Sequence, residues 1–360
     1  MNVPARAQEV LRRGLSARVF PGASAEAGTA DAAAWSDALG HLGYEPDSTP
    51  VTADTVYDLA SLTKPVCTTT IAMRLAEHGA LDLEAPVSAY EPGWRGGDRA
   101  GAAVRDLLEH ASGLGAWAPL WRAHAGRDAV VAAACASPLA CPPRSASLYS
   151  DLGFIVLGAV LERAGLAGLD HQFDLLSREW AAQAGAEPML RYRPPPAWRP
   201  RTAPTRFSDA RERLLVAEVD DDNAWAMEGV AGHAGLFGTA AAVGAFARMV
   251  MRALRGERDA ERLVAGRDTV RRFLAPSTVP GSSRALGWDL MRPTSSCGAL
   301  MSPSAFGHTG FTGTSLWIDP ERDVYAVLLT NRVHPAAGPD EPIRAVRRAF
   351  HDALMARRPA

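Results

Sequence analysis

Strand patterns sit at the two ends of this chain and helical patterns fill the middle, and that order restricts the folds open to it. From Ala23 to about Leu42 small residues alternate with turn formers (Gly28, Asp31, Asp37, Gly40), which predicts one strand hairpin. The β pattern returns at Ala285 to Leu290, Ala305 to Thr309, Thr314 to Ile318 and Val324 to Thr330, with Asp319 to Asp323 as the turn joining the last two. Between these ends, Val104 to Glu109, Arg127 to Ala136, Phe154 to Arg163 and Phe173 to Gln183 carry apolar residues at i, i+3 and i+4. Helical periodicity also opens the chain, over residues 4 to 18, and an amphipathic helix from Ile343 to Met355 closes it. The economical architecture is α+β. One antiparallel sheet is built from the N- and C-terminal segments and covered by the terminal helices, with a mostly helical domain inserted. The expected boundaries are 1–60 with 275–360 for the sheet domain and 61–274 for the helical one, with a ligand site at their seam.

Composition removes several classes of function. At 360 residues the chain suffices for one large domain or two intimately packed ones, and its net charge of −2 offers no nucleic-acid groove or polybasic membrane patch. No run of eighteen apolar residues predicts a membrane span. The N-terminus lacks a charged-then-apolar signal segment, so the chain reads as cytoplasmic as given, or periplasmic if a leader has been removed. Cys67, Cys135, Cys141 and Cys297 are scattered in no metal-ligand spacing and are read as buried or idle thiols. No cofactor is expected, and oligomeric state is not legible.

The chemistry concentrates at Ala60-Ser61-Leu62-Thr63-Lys64. Of thirty-eight cationic side chains, Lys64 is the only lysine. Arg stays protonated at any pH a protein survives, whereas a buried Lys can lose its proton and act as a base. Positions i and i+3 share a helix face, so Ser61 Oγ and Lys64 Nζ can meet, and a serine beside a base is a route to covalent catalysis. Pro65 is tolerated only in a first helical turn, which places the helix start at or just before Ser61, with Cys67, Ile71 and Leu75 as its buried stripe and Gly79 as its end. For Lys64 to work as a base near neutrality its pKa must fall from ~10.4 toward ~7, about 4–5 kcal/mol of differential interaction.

Other stretches carry plainer readings. Residues 185 to 207, with Tyr192-Arg193-Pro194-Pro195-Pro196-Ala197-Trp198-Arg199-Pro200, predict a long surface loop. The glycine-rich run Gly229 to Thr239 opens a helix from Ala240 to Leu254 that Thr239 can cap; lacking a following Lys, it is read as close backbone packing, not a phosphate loop. Asp220-Asp221-Asp222 is read as a solvated turn, and His110 and His233 as structural. Trp117, Trp121 and Trp225 either line a pocket or simply pack.

Two further stretches complete a constellation: Tyr149-Ser150-Asp151 before a helix, and His308-Thr309-Gly310 followed by Phe311 at the edge of a strand pair. In order and spacing, Ser61-Leu62-Thr63-Lys64, Tyr149-Ser150-Asp151 and His308-Thr309-Gly310 resemble the three motifs of the serine β-lactamase and penicillin-binding-protein superfamily. The nearest group is similar to class C β-lactamases with their related esterases and D-stereospecific peptidases. Leu107 to Leu114 and Gly232 to Phe237 resemble structural signatures of the same group, so the likeness covers roughly residues 16 to 335.

The resemblance implies a cofactor-free serine hydrolase acting on a small-molecule or peptide-like acyl substrate. Ser61 would be the nucleophile, Lys64 would hold or remove its proton, and Tyr149 would relay protons to the leaving group. The Ser61 and Phe311 amides would form the oxyanion hole, and Asp151, His308, Thr309 and Gly310 would line the substrate side. Two departures bear on substrate. His308 stands where many β-lactamases have Lys, so a carboxylate-binding cation is only partly present at neutral pH. Asp151 stands where Asn is usual, so it offers no amide donor and is expected to pair with Lys64 or a substrate amine. The alternatives are a β-lactamase, a D-Ala-D-Ala carboxypeptidase and an idle ligand-binding sensor of the same fold. A zinc hydrolase is disfavoured because the nine histidines show no HxxxH or HxH spacing.

Overall fold

The computed structural model describes residues 3–183, 187 and 189–356. Its main sheet has six strands, numbered along the chain: β1 Gly22–Gly28, β2 Ala33–Gly40, β3 Asp289–Leu290, β4 Phe306–Thr309, β5 Ser315–Asp319 and β6 Val324–Thr330. Their order is β2-β1-β6-β5-β4-β3, and every neighbouring pair is antiparallel. The first hairpin thus pairs with the last strand, so the two ends of the chain share one sheet, as the pattern predicts.

Five helices flank the sheet and the site: α1 Val3–Ser16, α2 Thr70–Glu77, α3 Asp151–Gly165, α4 Ala240–Arg255 and α5 Glu341–Met355. Strand β1 is buried on both faces and built almost entirely from Gly, Ala and Ser, because helices press on it from both sides. Ala23, Ala25 and Ala27 pack with Ala7 and Leu11 of α1 and Ile343 and Phe350 of α5. On the other face Glu26 meets α4: Arg248 Nη1 lies 2.8 Å from Glu26 Oε1, and the Tyr325 hydroxyl donates to the same oxygen at 2.6 Å. Gly244 makes that approach possible, since a Cβ there would lie 1.9 Å from Glu26 Oε1. Helix α4, although it falls within residues 61–274, lies on the sheet. The largest apolar core runs without a break from Val56 and Leu62 through α3 and α4 to Val327 and Leu329.

Four local readings need correction. Residues 185 to 207 are not simply a surface loop. Leu190–Tyr192 is an edge strand of a second, three-stranded sheet with Leu236–Gly238 and Tyr57–Asp58, and Tyr192 is buried with its hydroxyl 3.0 Å from the Ala231 carbonyl. The prolines fit because they follow that edge and lead into a short 3₁₀ turn, Pro196–Arg201, whose Trp198 is buried. (Residues 185, 186 and 188 lie outside the described residues.) Secondly, the helix starts just before Ser61, as expected, but its first turns are not regular α-helix. Ala60–Leu62 is a 3₁₀ turn, Lys64–Thr69 a wider π-type turn, and the α-helix proper runs over Thr70–Glu77. Such a turn often marks a functional position inside a helix. Thirdly, the strand predicted over Ala285 to Leu290 contracts to β3. Lastly, Asp220 to Asp222 are not a solvated turn, because Arg206 and Arg211 pair with them.

Among the described residues no single helix is long and apolar enough to cross a membrane. Cys67, Cys135 and Cys297 are buried, and all four cysteines are free.

Candidate active site

Ser61, Lys64, Tyr149 and Asp151 come from three segments and converge. The Lys64 side chain is fully buried, and its Nζ lies 2.9 Å from Ser61 Oγ, 2.6 Å from the Tyr149 hydroxyl, 2.7 Å from Asp151 Oδ1 and 3.2 Å from the His233 carbonyl. Tyr149 OH is also 2.8 Å from Ser61 Oγ, so serine, amine and phenol form a closed triangle. An ammonium has three hydrogens, and Asp151 and the His233 carbonyl can only accept. Those two take two hydrogens, which leaves one for the Ser61–Tyr149 side.

Local structure fixes each member. Ser150 caps α3 by accepting from the Gly153 amide at 2.9 Å, and its own hydroxyl donates to the Gly115 carbonyl at 2.7 Å. That cap sets Asp151 at the first turn of α3 and Tyr149 just before it. The Ser150 amide donates to His110 Nδ1 at 3.0 Å, and the His110 ring packs on the Tyr149 ring with centroids 4.7 Å apart. His110 therefore supports the phenol, in keeping with a structural role. His233 does the same for the amine: its carbonyl faces Lys64 while its Nε2 lies 2.8 Å from Asp221 Oδ1. Gly232 before it has no room for a side chain, since a Cβ would come within 2.2 Å of the Phe154 carbonyl.

The third motif arrives on β4. Gly310 is obligatory at the close approach: a Cβ there would meet Thr314 Oγ1 at 2.1 Å and the Leu59 carbonyl at 2.7 Å. Thr312 Oγ1 donates to the Asp58 carbonyl at 2.8 Å and Thr314 Oγ1 to the Leu59 carbonyl at 3.0 Å, stitching the β4–β5 turn to the backbone just before Ser61. Thr309, Gly310 and Phe311 line the same cavity as Ser61, Tyr149, Asp151 and His308. That cavity is about 1120 Å³. Large exposed rings stand on it at Trp117 (52 %) and Phe311 (50 %).

The electrostatics differ from the sequence expectation in three places. Lys64 is not pushed toward neutrality. Burial disfavours its charge, but the Asp151 carboxylate and the Tyr149 oxygen outweigh it and raise its pKa above the ordinary lysine value. Burial, then Asp151, likewise raises the Tyr149 phenol despite the neighbouring amine. The resting pair is an ammonium beside a neutral phenol. His308 is not a cation either. Burial first, then Lys64 and Arg284, hold its pKa well below the usual value, and its Nδ1 sits 2.8 Å from the Thr309 carbonyl. With Nδ1–H donating there, Nε2 is an acceptor with no partner among the described residues. Beyond Lys64, a cation that no sequence signal marks stands beside the site: Arg284, its guanidinium carbon 5.1 Å from the Tyr149 ring centroid and paired with Asp289.

Asp220 to Asp222 form the third difference. They line the cavity as part of a paired network. Asp222 binds Arg206 at 3.0 Å and Arg211 at 2.7 Å, and Asp221 accepts from the Ala224 amide as well as facing His233. The Asp220 amide donates to Asp58 Oδ2 at 2.7 Å, while Asp58 Oδ1 accepts from the Ala60 amide at 2.8 Å. Three consecutive acids resemble a solvated turn only while the arginines that meet them, 9 to 16 residues away, go unseen. Of the tryptophans, Trp117 lines the cavity; Trp225 carries Arg211 over its ring, 4.8 Å from the centroid. Among the described residues no cluster of His, Cys, Asp or Glu is arranged to hold a metal ion.

Similarity to known proteins agrees with this arrangement. The family model described as Beta-lactamase matches residues 7–350. A putative D-alanyl-D-alanine carboxypeptidase of Salmonella gallinarum is 29 % identical over 319 residues, 80 % of this chain and 72 % of that protein. An N-acetylmuramyl-L-alanine amidase of Bacillus subtilis is 30 % identical over 318 residues, 80 % and 70 % of the two chains. Among solved structures, EstCE1, a hydrolase with promiscuous acyltransferase activity, superposes with a TM-score of 0.73 over 98 % of both chains at 18 % identity, a likeness of fold. A match over residues 7–350, with a sheet joined from both termini and three motifs that line one cavity, makes this chain a member of the β-lactamase family.

Proposed function

We propose that this protein cleaves ester or amide acyl bonds by way of an acyl-serine at Ser61. The single observation behind the reading is the triangle of Ser61 Oγ, Lys64 Nζ and Tyr149 OH, all within 2.9 Å of one another, opening on a large cavity. The triangle can take the serine proton only after shedding one of its own, because an ammonium and a neutral phenol have no vacancy for it. Once one proton has left the Lys64–Tyr149 pair, Ser61 Oγ bonds to the substrate carbonyl carbon and its proton passes to the pair. The Ser61 and Phe311 amides donate to the resulting oxyanion, an interaction worth about 3 kcal/mol per donor. Collapse breaks the bond to the leaving group, which receives that proton through Tyr149. Water then repeats the sequence against the acyl-enzyme. The pair acts as one base, so the proton belongs to both groups.

Substrate class follows from the walls. The exposed rings of Trp117 and Phe311 favour an apolar acyl or leaving group, and the volume admits a peptide-sized substrate. Relatives named as a carboxypeptidase and an amidase, and a fold neighbour named as a hydrolase, fit the same reaction type. Efficient β-lactam hydrolysis is disfavoured, because Asp151 offers an acylamino group no donor and is already held by Lys64.

The test is a panel of p-nitrophenyl acetate, nitrocefin and a D-alanyl dipeptide, run on the wild type, Ser61→Ala and Lys64→Arg. The wild type is expected to turn over the ester or the dipeptide faster than nitrocefin, and both variants to lose activity. Intact mass after treatment with a fluorophosphonate is expected to show one adduct, absent from Ser61→Ala. No adduct with any acylating probe, or full activity in Ser61→Ala, would overturn the reading.

A further inference from the structure

Two arginines far along the chain grip the turn that carries the Phe311 amide. Arg347, on α5, donates from Nη2 to the Gly310 carbonyl at 2.7 Å and to the Thr314 carbonyl at 2.9 Å. Arg332 donates from Nε to the Phe311 carbonyl at 2.8 Å, and its amide bonds the Thr312 carbonyl at 3.1 Å. Arg332 is balanced by Asp340 at 2.7 Å. Arg347 is different. It is buried, and among the described residues it forms no ion pair and its Nε has no hydrogen-bond partner. Burying a guanidinium without a counter-ion is costly, so a position that keeps one has to be explained by what its remaining donors do.

Stereochemistry supplies the explanation. The Gly310–Phe311 peptide is trans, since the cis bond among the described residues is His334–Pro335. In a trans peptide the C=O and the N–H point in opposite directions. Holding the Gly310 oxygen toward α5, where it also accepts from the Gly313 amide at 3.1 Å, therefore turns the Phe311 N–H away from α5. We propose that Arg347 is a positioning residue for the oxyanion hole, orienting the Phe311 N–H through its grip on the Gly310 carbonyl. A cation hydrogen-bonded to the oxygen of a peptide also polarises that peptide, which strengthens its N–H as a donor. Burial, then Arg332, lowers the Arg347 pKa, but a guanidinium starts so high that it is still protonated at neutral pH. The inference rests on the acyl-serine reading, in which the Phe311 amide faces the oxyanion.

The experiment compares Arg347→Met and Arg347→Lys with the wild type in ester hydrolysis, alongside Ser61→Ala and a thermal melt of each. A donor that acts only in the transition state changes kcat and leaves KM alone. Arg347→Met is expected to lose about 10- to 100-fold in kcat, below the full loss of an oxyanion donor because the amide is still present. KM should stay within about twofold, as uniform binding is untouched. Arg347→Lys keeps the charge on a shorter, freely rotating ammonium without the rigid planar fork, and is expected to recover part of the loss. If Arg347→Met does not fold, the kcat and KM of Arg347→Lys decide. Unchanged kcat in the folded variants, or a rise in KM at constant kcat, overturns the inference while loss of activity in Ser61→Ala leaves the acyl-serine reading standing. Activity surviving in Ser61→Ala would instead overturn that reading itself, and this inference with it.

Discussion

Replacing Asp151 by Asn removes the one carboxylate in direct contact with the Lys64 amine while keeping the shape of the side chain. Asp151 Oδ1 lies 2.7 Å from Nζ, and its charge raises both Lys64 and Tyr149. Loss of a proton from that pair arms the base, so raised values mean that kcat/KM climbs as pH rises through and beyond neutrality. At 2.7 Å two unit charges interact by about 1.5 kcal/mol even at the dielectric of bulk water and by about 6 kcal/mol at an effective value of 20. Asp151 is one-fifth exposed, which favours the lower part of that range. The rising limb of the pH–rate profile is therefore expected to move toward acid by at least about one pH unit, since 1.4 kcal/mol corresponds to one unit. At pH 7 acylation of Ser61 in Asp151→Asn should be faster than in the wild type. The assay is pre-steady-state ester hydrolysis from pH 5 to 10. A limb that stays in place, or moves toward alkali, refutes the idea that Asp151 keeps the amine charged.

Tyr149→Phe keeps the ring that packs on His110 but removes the hydroxyl that we propose carries the proton, so kcat should fall by about 10²- to 10⁴-fold with little change in melting temperature. Gly232→Ala forces a Cβ to within 2.2 Å of the Phe154 backbone oxygen, where no flexible side chain can yield; urea unfolding should show a loss of about 1–3 kcal/mol or more. Asp58 is raised to about 7 by burial first and then by Asp220. An acid raised in the folded state stabilises below its unfolded value near 4 and loses that contribution as pH rises to about 7. Asp58→Asn should therefore lose less stability than the wild type between pH 4 and 8, as measured by melts across that range.

The sequence alone determined the sheet built from both ends and pointed to the segments that come together at the candidate site. Strand alternation and helical periodicity are local signals, and the terminal hairpin, β6, α4 and α5 fall close to where those patterns put them. The lone lysine three residues after Ser61 was legible as well, because in a chain that otherwise uses Arg a titratable amine stands out. What the sequence left undetermined was the sign of the electrostatics. Lys64 reads as a base whose pKa must fall, yet the tertiary structure surrounds it with Asp151, Tyr149 and the His233 carbonyl, and charge pairing outweighs burial. His308 reads as a partial cation, yet enclosure beside Lys64 and Arg284 keeps it neutral. Asp220 to Asp222 read as solvated until Arg206, Arg211 and His233 close around them. Arg347 carries no motif at all, and its role depends on a helix 33 residues downstream folding back onto the β4–β5 turn. Periodicity and motif order are properties of neighbours in the chain. A pKa, or the direction of a peptide N–H, is set by neighbours in space, and only the folded chain brings those together.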